Sequence, residues 1–133
     1  MVNEDPVIKI IGVDKDKIRE SSSLSGAWVI PFKLSSIPSE SWGRNFYEIC
    51  QRNSNANKRK TSLLNDCIEV NCTEKDEQQK VLDMLMLDIL NTNAVCQDIY
   101  HKKIKMQEDI RIQQQSHANT LQRIKDDIEK LKF

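Results

Sequence analysis

The sequence predicts an α+β protein, in which a small antiparallel sheet of about four strands precedes a long C-terminal helix. Two observations indicate this. In the first half of the chain, short stretches carry apolar residues at every second position, as half-buried strands do. From Arg44 to Phe133 there is no glycine or proline, and the apolar spacing changes to the period of a helix. We expect the order ββαββα, with the helices covering one face of the sheet.

The first two strands are predicted at residues 7–13 and 28–34. The first is rich in β-branched residues, which favour strands. In the second, alternation places four large side chains on one face, Trp28, Ile30, Phe32 and Leu34. Pro31 lies on the other face and cannot donate a hydrogen bond to a neighbouring strand. We therefore expect residues 28–34 to form an edge strand or to carry a bulge.

A short helix and a hairpin follow. The helix is predicted around residues 42–49, because Trp42, Phe46 and Ile49 recur at the spacing of one helix face. Two further strands are predicted at residues 61–64 and 67–72, on either side of Asn65-Asp66, which tolerate the conformation of a two-residue turn. In the last strand we expect three residues to face the core, Ile68, Val70 and Cys72.

The long helix is predicted to begin near residue 74. Thr73 is a suitable N-cap, and Asp76 stands three residues later, in the position of a capping box. Four apolar residues are expected to pack on the sheet, Leu82, Leu85, Met86 and Ile89, with Met84 and Leu87 beside them. We predict a head domain of residues 1–100 and a C-terminal helical extension of residues 101–133 that continues this helix.

The extension carries the pattern of a coiled coil. Seven residues follow one another at intervals of 4, 3, 4, 3, 4 and 3, and we name them the seam: Ile110, Gln114, His117, Leu121, Ile124, Ile128 and Leu131. This is the heptad spacing with which two helices pack together. Acid-before-base pairs at Asp98 with Lys102 and Asp126 with Lys130 support exposed helix faces. The seam predicts that the protein binds a helical partner, either a second copy as a dimer or another protein.

Residues 113–119 leave an alternative open for this helix. They contain few apolar side chains, and Ser116 and Asn119 are mediocre helix formers. A break here would let the last segment fold back as a helical hairpin. The stretch has no glycine or proline with which to turn, so a continuous helix is favoured. Gln114 and His117 could set the register between two chains.

Composition and charge exclude some function classes. Lys and Arg number 20 and Asp and Glu number 20, so no net charge attracts the chain to nucleic acid or to an anionic membrane. The N-terminus lacks the features of a signal peptide, and the longest apolar stretch, residues 81–90, is too short to span a bilayer. We expect a soluble, cytoplasmic protein with no membrane partner. The excess of lysine over arginine indicates an AT-rich coding sequence, as in many bacteria and phages.

The four cysteines do not predict a metal site or a cofactor. They are Cys50, Cys67, Cys72 and Cys96, with His101 as an additional candidate ligand. Cys67 and Cys72 are an odd number of residues apart on one predicted strand, so their side chains point to opposite faces. The close pair of cysteines typical of zinc sites is absent from the sequence. We expect thiols that bind no metal.

Three function classes remain. The favoured hypothesis is a small non-enzymatic interaction protein, an adaptor or regulator, that homodimerises or binds a larger partner through the seam. The alternative is a module that binds nucleic acid or a nucleotide phosphate through a basic cluster: Arg44, Arg52, Lys58, Arg59 and Lys60. An enzyme is not expected. His101 and His117 are sixteen residues apart on one helix, too far to share a site, and no catalytic motif is present.

Overall fold

The computed structural model describes residues 4–23, 25–52 and 61–132. It confirms the α+β class, with a five-stranded antiparallel sheet, one short α-helix and one long α-helix among these residues. The strands are β1 Ile10–Val13, β2 Arg19–Glu20, β3 Ala27–Leu34, β4 Thr61–Leu64 and β5 Cys67–Thr73. The α-helices are α1 Glu40–Arg52 and α2 Gln78–Glu129, and a single 3-10 turn spans Lys15–Lys17 between β1 and β2. The chain divides into two units. Residues 4–97 are named the head and residues 98–132 the tail.

Strand β3 is an interior strand, which corrects the prediction made from Pro31. The order in the sheet is β1-β3-β5-β4, and β2 also pairs with β3. The carbonyl of Pro31 accepts a hydrogen bond of 3.0 Å from the amide of Asp14. In an antiparallel sheet the N–H and C=O of one residue point to the same neighbouring strand, so the N–H that proline lacks would also have pointed towards Asp14. There β1 ends at Val13, and β2 begins only at Arg19. Proline is tolerated because the neighbouring strand is interrupted opposite it. The bulge lies in β1.

The core lies between the sheet and the two helices. Trp42 and Phe46 of α1 are buried, and their rings stack with centroids 5.3 Å apart. They pack in one cluster with strand residues Phe32, Leu34, Ile68, Val70 and Cys72 and with Val81, Leu85 and Ile89 of α2. The predicted inward faces of α1 and β5 are therefore confirmed. Trp28 was expected on the core face of β3 but is 39% exposed.

The face of β3 that was expected to point outward is also partly covered. Val29 and Pro31 are buried. Val29 pairs with Arg19 on one side and with Asn71 on the other. The side chains of Arg19, Val29 and Asn71 line a depression together with residues 21–23. The sheet is therefore not simply one-sided, because the Arg19 side chain of β2 reaches Glu69 of β5 across this face of β3.

The turn between β4 and β5 is formed by Asn65 and Asp66, as predicted. Leu64 pairs with Cys67, which leaves two residues in the turn. Asn65 adopts a φ of 53°, the left-handed conformation that asparagine tolerates better than most residues.

Helix α2 begins at Gln78, four residues later than expected. The Asp76 carboxylate accepts hydrogen bonds from the Thr73 amide at 2.8 Å and from its hydroxyl at 3.4 Å. The Asp76 amide donates to the Thr73 carbonyl at 3.1 Å. These reciprocal bonds close a turn between β5 and α2. Thr73 is the last residue of the strand and not the cap of the helix.

One face of α2 is covered in the head. The residues of this face recur every three or four positions, and they are Val81, Leu85, Ile89, Thr92 and Cys96. Met86 was expected on the covered side but is 51% exposed. Successive helical residues are about 100° apart, so Met86 points away from the stripe that contains Leu85. The covered stripe is narrower than the apolar content of residues 81–90 suggests.

Asn93 joins the N-terminal segment to both helices. Its Oδ1 accepts hydrogen bonds from the Ile8 amide at 3.1 Å and from Trp42 Nε1 at 3.0 Å. Its Nδ2 donates to the Ile8 carbonyl at 2.9 Å. Ile8 is buried, yet β1 begins only at Ile10. The strand predicted from residue 7 is shorter because both backbone groups of Ile8 bind an asparagine side chain.

Candidate interaction surface

The seam lies on the surface of the tail. Six of its residues are in helix α2, and Leu131 follows the last helical residue, Glu129. Every residue from 101 to 132 is exposed. The exposed fractions of the five apolar seam side chains run from 48% for Ile110 and Leu121 to 57% for Leu131. The tail therefore presents an apolar stripe to solvent at heptad spacing, whereas such residues are commonly buried in folded proteins.

The weak stretch in the middle of the tail is helical. Residues 113–119 all lie within α2, so the break considered above does not occur in this part of the chain. Side chains support the helix locally. Gln115 Nε2 donates to Asn119 Oδ1 at 3.0 Å, and the Thr120 hydroxyl donates to the Ser116 carbonyl at 3.0 Å. Because the helix is continuous here, Gln114 and His117 lie on the same helix face as the apolar residues of the seam.

Charged pairs flank the seam on the exposed faces of the tail. Lys102 Nζ lies 2.9 Å from Asp98 Oδ2, which confirms the first predicted pair. Asp126 instead accepts a hydrogen bond from Gln122, and Lys130 lies beyond the end of the helix. Arg111 donates two hydrogen bonds to Glu108, and this lowers the pKa of the Glu108 carboxyl. Such exposed pairs support the helix only weakly, because water and salt screen them.

A second exposed apolar face lies on α2 in the head. Leu87 and Leu90 were not singled out as surface residues by the sequence, yet they are 55% and 64% exposed, and Met86 lies beside them. In the sequence, the apolar stripe of residues 81–90 is wider than one helix face, and this width could have indicated that part of it is exposed. The patch spans little more than one turn of the helix, so it does not by itself predict a helical partner.

The basic cluster of the alternative hypothesis is only partly described. Arg44 and Arg52 are exposed on α1. Arg52 lies 3.9 Å from Glu48, one turn earlier on the same helix. Lys58, Arg59 and Lys60 lie outside the described residues. Of the described members of the cluster, Arg44 and Arg52 lie on one element, and a carboxylate accompanies Arg52.

A polar depression of about 150 Å³ lies on the outer face of the sheet, and the sequence did not reveal it. Its lining includes Arg19, Val29, Ser62, Glu69, Asn71 and residues 21–23. Arg19 donates two hydrogen bonds to Glu69, at 2.8 and 3.1 Å. The hydrogen bonds from Arg19 lower the pKa of Glu69. Because the two charges neutralise each other, this depression does not favour a phosphate.

Three of the four thiols have the opposite property from that of a catalytic nucleophile. None of the four cysteines, all within the described residues, forms a disulfide. Burial, with the nearby carboxylate of Asp88, raises the pKa of Cys50 to about 12. Burial also raises the pKa of Cys67 and of Cys96. A nucleophilic cysteine needs a lowered pKa. In the described parts of the chain, no three His, Cys, Asp or Glu side chains are grouped as metal ligands would be.

The raised pKa of Cys50 gives a prediction for its reactivity. At pH 8 a thiol with a pKa near 12 is about a thousandfold less ionised than an ordinary thiol. Alkylation of Cys50 by iodoacetamide should be correspondingly slow in the folded protein and fast in urea, as followed by peptide mass spectrometry. Folding holds this proton more tightly, so the free energy of unfolding should fall as the pH rises from about 9 towards 12. Equal labelling rates with and without urea would contradict the prediction.

Among the described residues, no helix is long and apolar enough to cross a membrane. Comparisons with protein-family models, with curated proteins and with solved structures find no match to this chain.

Proposed function

We propose that this protein is a non-enzymatic interaction protein, an adaptor or regulator, which binds a helical partner through the seam of its tail. One observation carries the proposal. Five apolar side chains at heptad spacing are about half exposed on a helix that is otherwise rich in charged and polar residues. Covering what remains exposed of each would stabilise a complex by roughly 1 kcal/mol per side chain.

The spacing selects a helix as the kind of partner. Residues at alternating intervals of three and four form one narrow stripe along a helix, and such a stripe fits between the side chains of a second helix. A flat or irregular partner surface would not require this repeat. The partner is a second copy of the chain or a helix of another protein.

The other surfaces support the alternatives less well. Arg19 and Arg52 both lie close to carboxylates, which weakens the case for phosphate binding. The raised pKa values of Cys50, Cys67 and Cys96 oppose a cysteine nucleophile.

Replacement of Ile124 by aspartate tests the proposal in the full-length chain. We expect the parent protein to associate in sedimentation equilibrium and Ile124→Asp to raise the dissociation constant on the order of tenfold or more, because a carboxylate would be buried in the seam. Ile112→Asp is the matched control. Ile112 is as exposed as Ile124, at 53% and 51%, but it lies off the seam and should tolerate the change.

The exposed face of the head provides a second comparison. Leu90→Asp places the same charge on α2 outside the tail. If association depends on Leu90 and not on Ile124, the proposed surface is wrong. A second result would also contradict the proposal. The parent chain would stay monomeric at high concentration, and pull-downs with Ile124→Asp and with Ile112→Asp would capture the same partner proteins in equal amounts. Circular dichroism checks that each variant retains its helix.

A further inference from the structure

We infer that the seam binds a second copy of this chain, with the two tail helices parallel and in register. This rests on the proposed function and adds to it the identity of the partner and its orientation. The charged residues that flank the seam carry the inference. In heptad notation, Leu121 and Ile128 occupy a positions, while Ile124 and Leu131 occupy d positions. The flanking e positions are Arg111, Ala118, Lys125 and Lys132, and the last three g positions are Gln113, Thr120 and Asp127.

An antiparallel pair of these helices brings like charges together. In antiparallel coiled coils a residues pack against d residues, e positions face e positions, and g positions face g positions. To bury all four apolar residues against one another, Leu121 must meet Leu131 of the second copy, and Ile124 must meet Ile128. This register is centred near residue 126. It therefore places Lys125 beside Lys125 and Asp127 beside Asp127 of the second copy, which is unfavourable.

A parallel pair relieves both repulsions. Each a and d residue then meets its own counterpart, so the same four apolar layers are buried. In this arrangement a g residue faces the e residue five positions later in the other helix. Asp127 faces Lys132 of the second copy, and symmetry forms this pair twice. Lys125 faces the neutral Thr120. The tail is thus complementary in charge to itself when parallel.

The register is specified by the polar residues of the seam. In register, Gln114 meets Gln114, and His117 meets His117. A shift of one heptad would place Gln114 against Leu121 and His117 against Ile124, and it would leave two of the five apolar layers of the seam. Polar residues at such positions are known to set register and orientation at some loss of stability. The in-register parallel pair is the arrangement that keeps apolar with apolar and polar with polar.

The end of the helix is compatible with this pairing. The amide of Lys130 donates to the Asp127 carbonyl at 3.2 Å, and that of Leu131 donates to the Ile128 carbonyl at 3.0 Å. The backbone therefore continues to turn after Glu129. Pairing extends the helix through Lys132, since Leu131 and Lys132 then gain contacts with the second copy.

Charge exchange within the full-length chain tests the orientation. Asp127→Lys and Lys132→Asp should each raise the dimer dissociation constant roughly fivefold to tenfold, because each creates two like-charge contacts. The double variant restores opposite charges and should return to within about twofold of the parent. Asp126→Lys, the same change one residue away and off the seam, should have little effect. If the dimer dissociation constant of the double variant is no lower than that of the single variants, the parallel arrangement is wrong.

Disulfide trapping gives an independent readout. Leu131→Cys places two thiols at the same d layer of a parallel pair, within the short distance that a disulfide requires, whereas an antiparallel pair places Leu131 opposite Leu121. We expect fast interchain cross-linking of this variant. Gln122→Cys, which faces away from the seam, and the parent chain give the background rates. Cross-linking no faster than that of Gln122→Cys would overturn the inference.

The outcomes separate the two proposals. If Ile124→Asp abolishes association while the charge exchange gives no rescue, the seam remains the binding surface and only the parallel copy is excluded. If the parent chain does not self-associate, yet a partner protein is lost specifically with Ile124→Asp, the proposed function stands and the second copy is overturned.

Discussion

Replacement of Phe46 by alanine should lower the free energy of unfolding by about 3–5 kcal/mol. Phe46 is fully buried, and its ring stacks on Trp42 between the sheet and α2. The substitution removes a large apolar side chain and leaves a cavity that Ile68, Val70 and Leu85 cannot fill completely. Because small domains are stable by only about 5–15 kcal/mol, this one change removes a large part of the total.

Urea denaturation followed by tryptophan fluorescence measures this effect. Phe46→Leu, which keeps most of the apolar volume, should lose much less stability than Phe46→Ala. Ile37→Ala is the control for a residue of the head that is 68% exposed, and it should change the stability by less than about 0.5 kcal/mol. A loss below about 1 kcal/mol for Phe46→Ala would show that this ring is not central to the core.

Replacement of Asn93 by alanine should lower the free energy of unfolding by about 2–4 kcal/mol. The side chain makes three hydrogen bonds, to both backbone groups of Ile8 and to Trp42 Nε1. Ile8 and Trp42 are each 1% exposed. Their polar groups would lose their partners in a place with little access to water, which costs about 1–3 kcal/mol for each unsatisfied group. The N-terminal segment should also separate from α2.

Asn91→Ala is the matched control for this prediction. Asn91 lies two residues earlier on the same helix and is exposed, so the two substitutions change helix propensity equally. Hydrogen exchange at the amide of Ile8 should accelerate in Asn93→Ala and not in Asn91→Ala. If the two variants have equal free energies of unfolding, the three hydrogen bonds of Asn93 stabilise the folded protein no more than the hydrogen bonds that the same groups make to water when the chain is unfolded.

The seam shows how much of the candidate site could be predicted. Its residue types and their spacing are properties of the sequence, and the helix through residues 113–119 follows from the lack of glycine and proline. The exposure of Ile124 and Ile128 could not be read from the sequence, because the same stripe could have been covered by other parts of the chain. The polar depression around Arg19 and Glu69 was missed because the two residues are fifty positions apart.

By itself, the sequence determined the kinds of elements and several of their buried faces. Trp42, Phe46 and Ile49 repeat with the period of a helix, Ile68 and Val70 with that of a strand, and Asn65 accepts the left-handed turn. These features depend on neighbouring residues and on local backbone preference.

Only the tertiary structure decided that β3 lies inside the sheet despite Pro31, that Leu85 is covered while Met86 is not, and that Asn93 binds Ile8. The physical reason is that coverage and strand neighbours are set by contacts between residues far apart in the chain. Local spacing specifies which side of an element is apolar, and packing then selects how much of that side is removed from water.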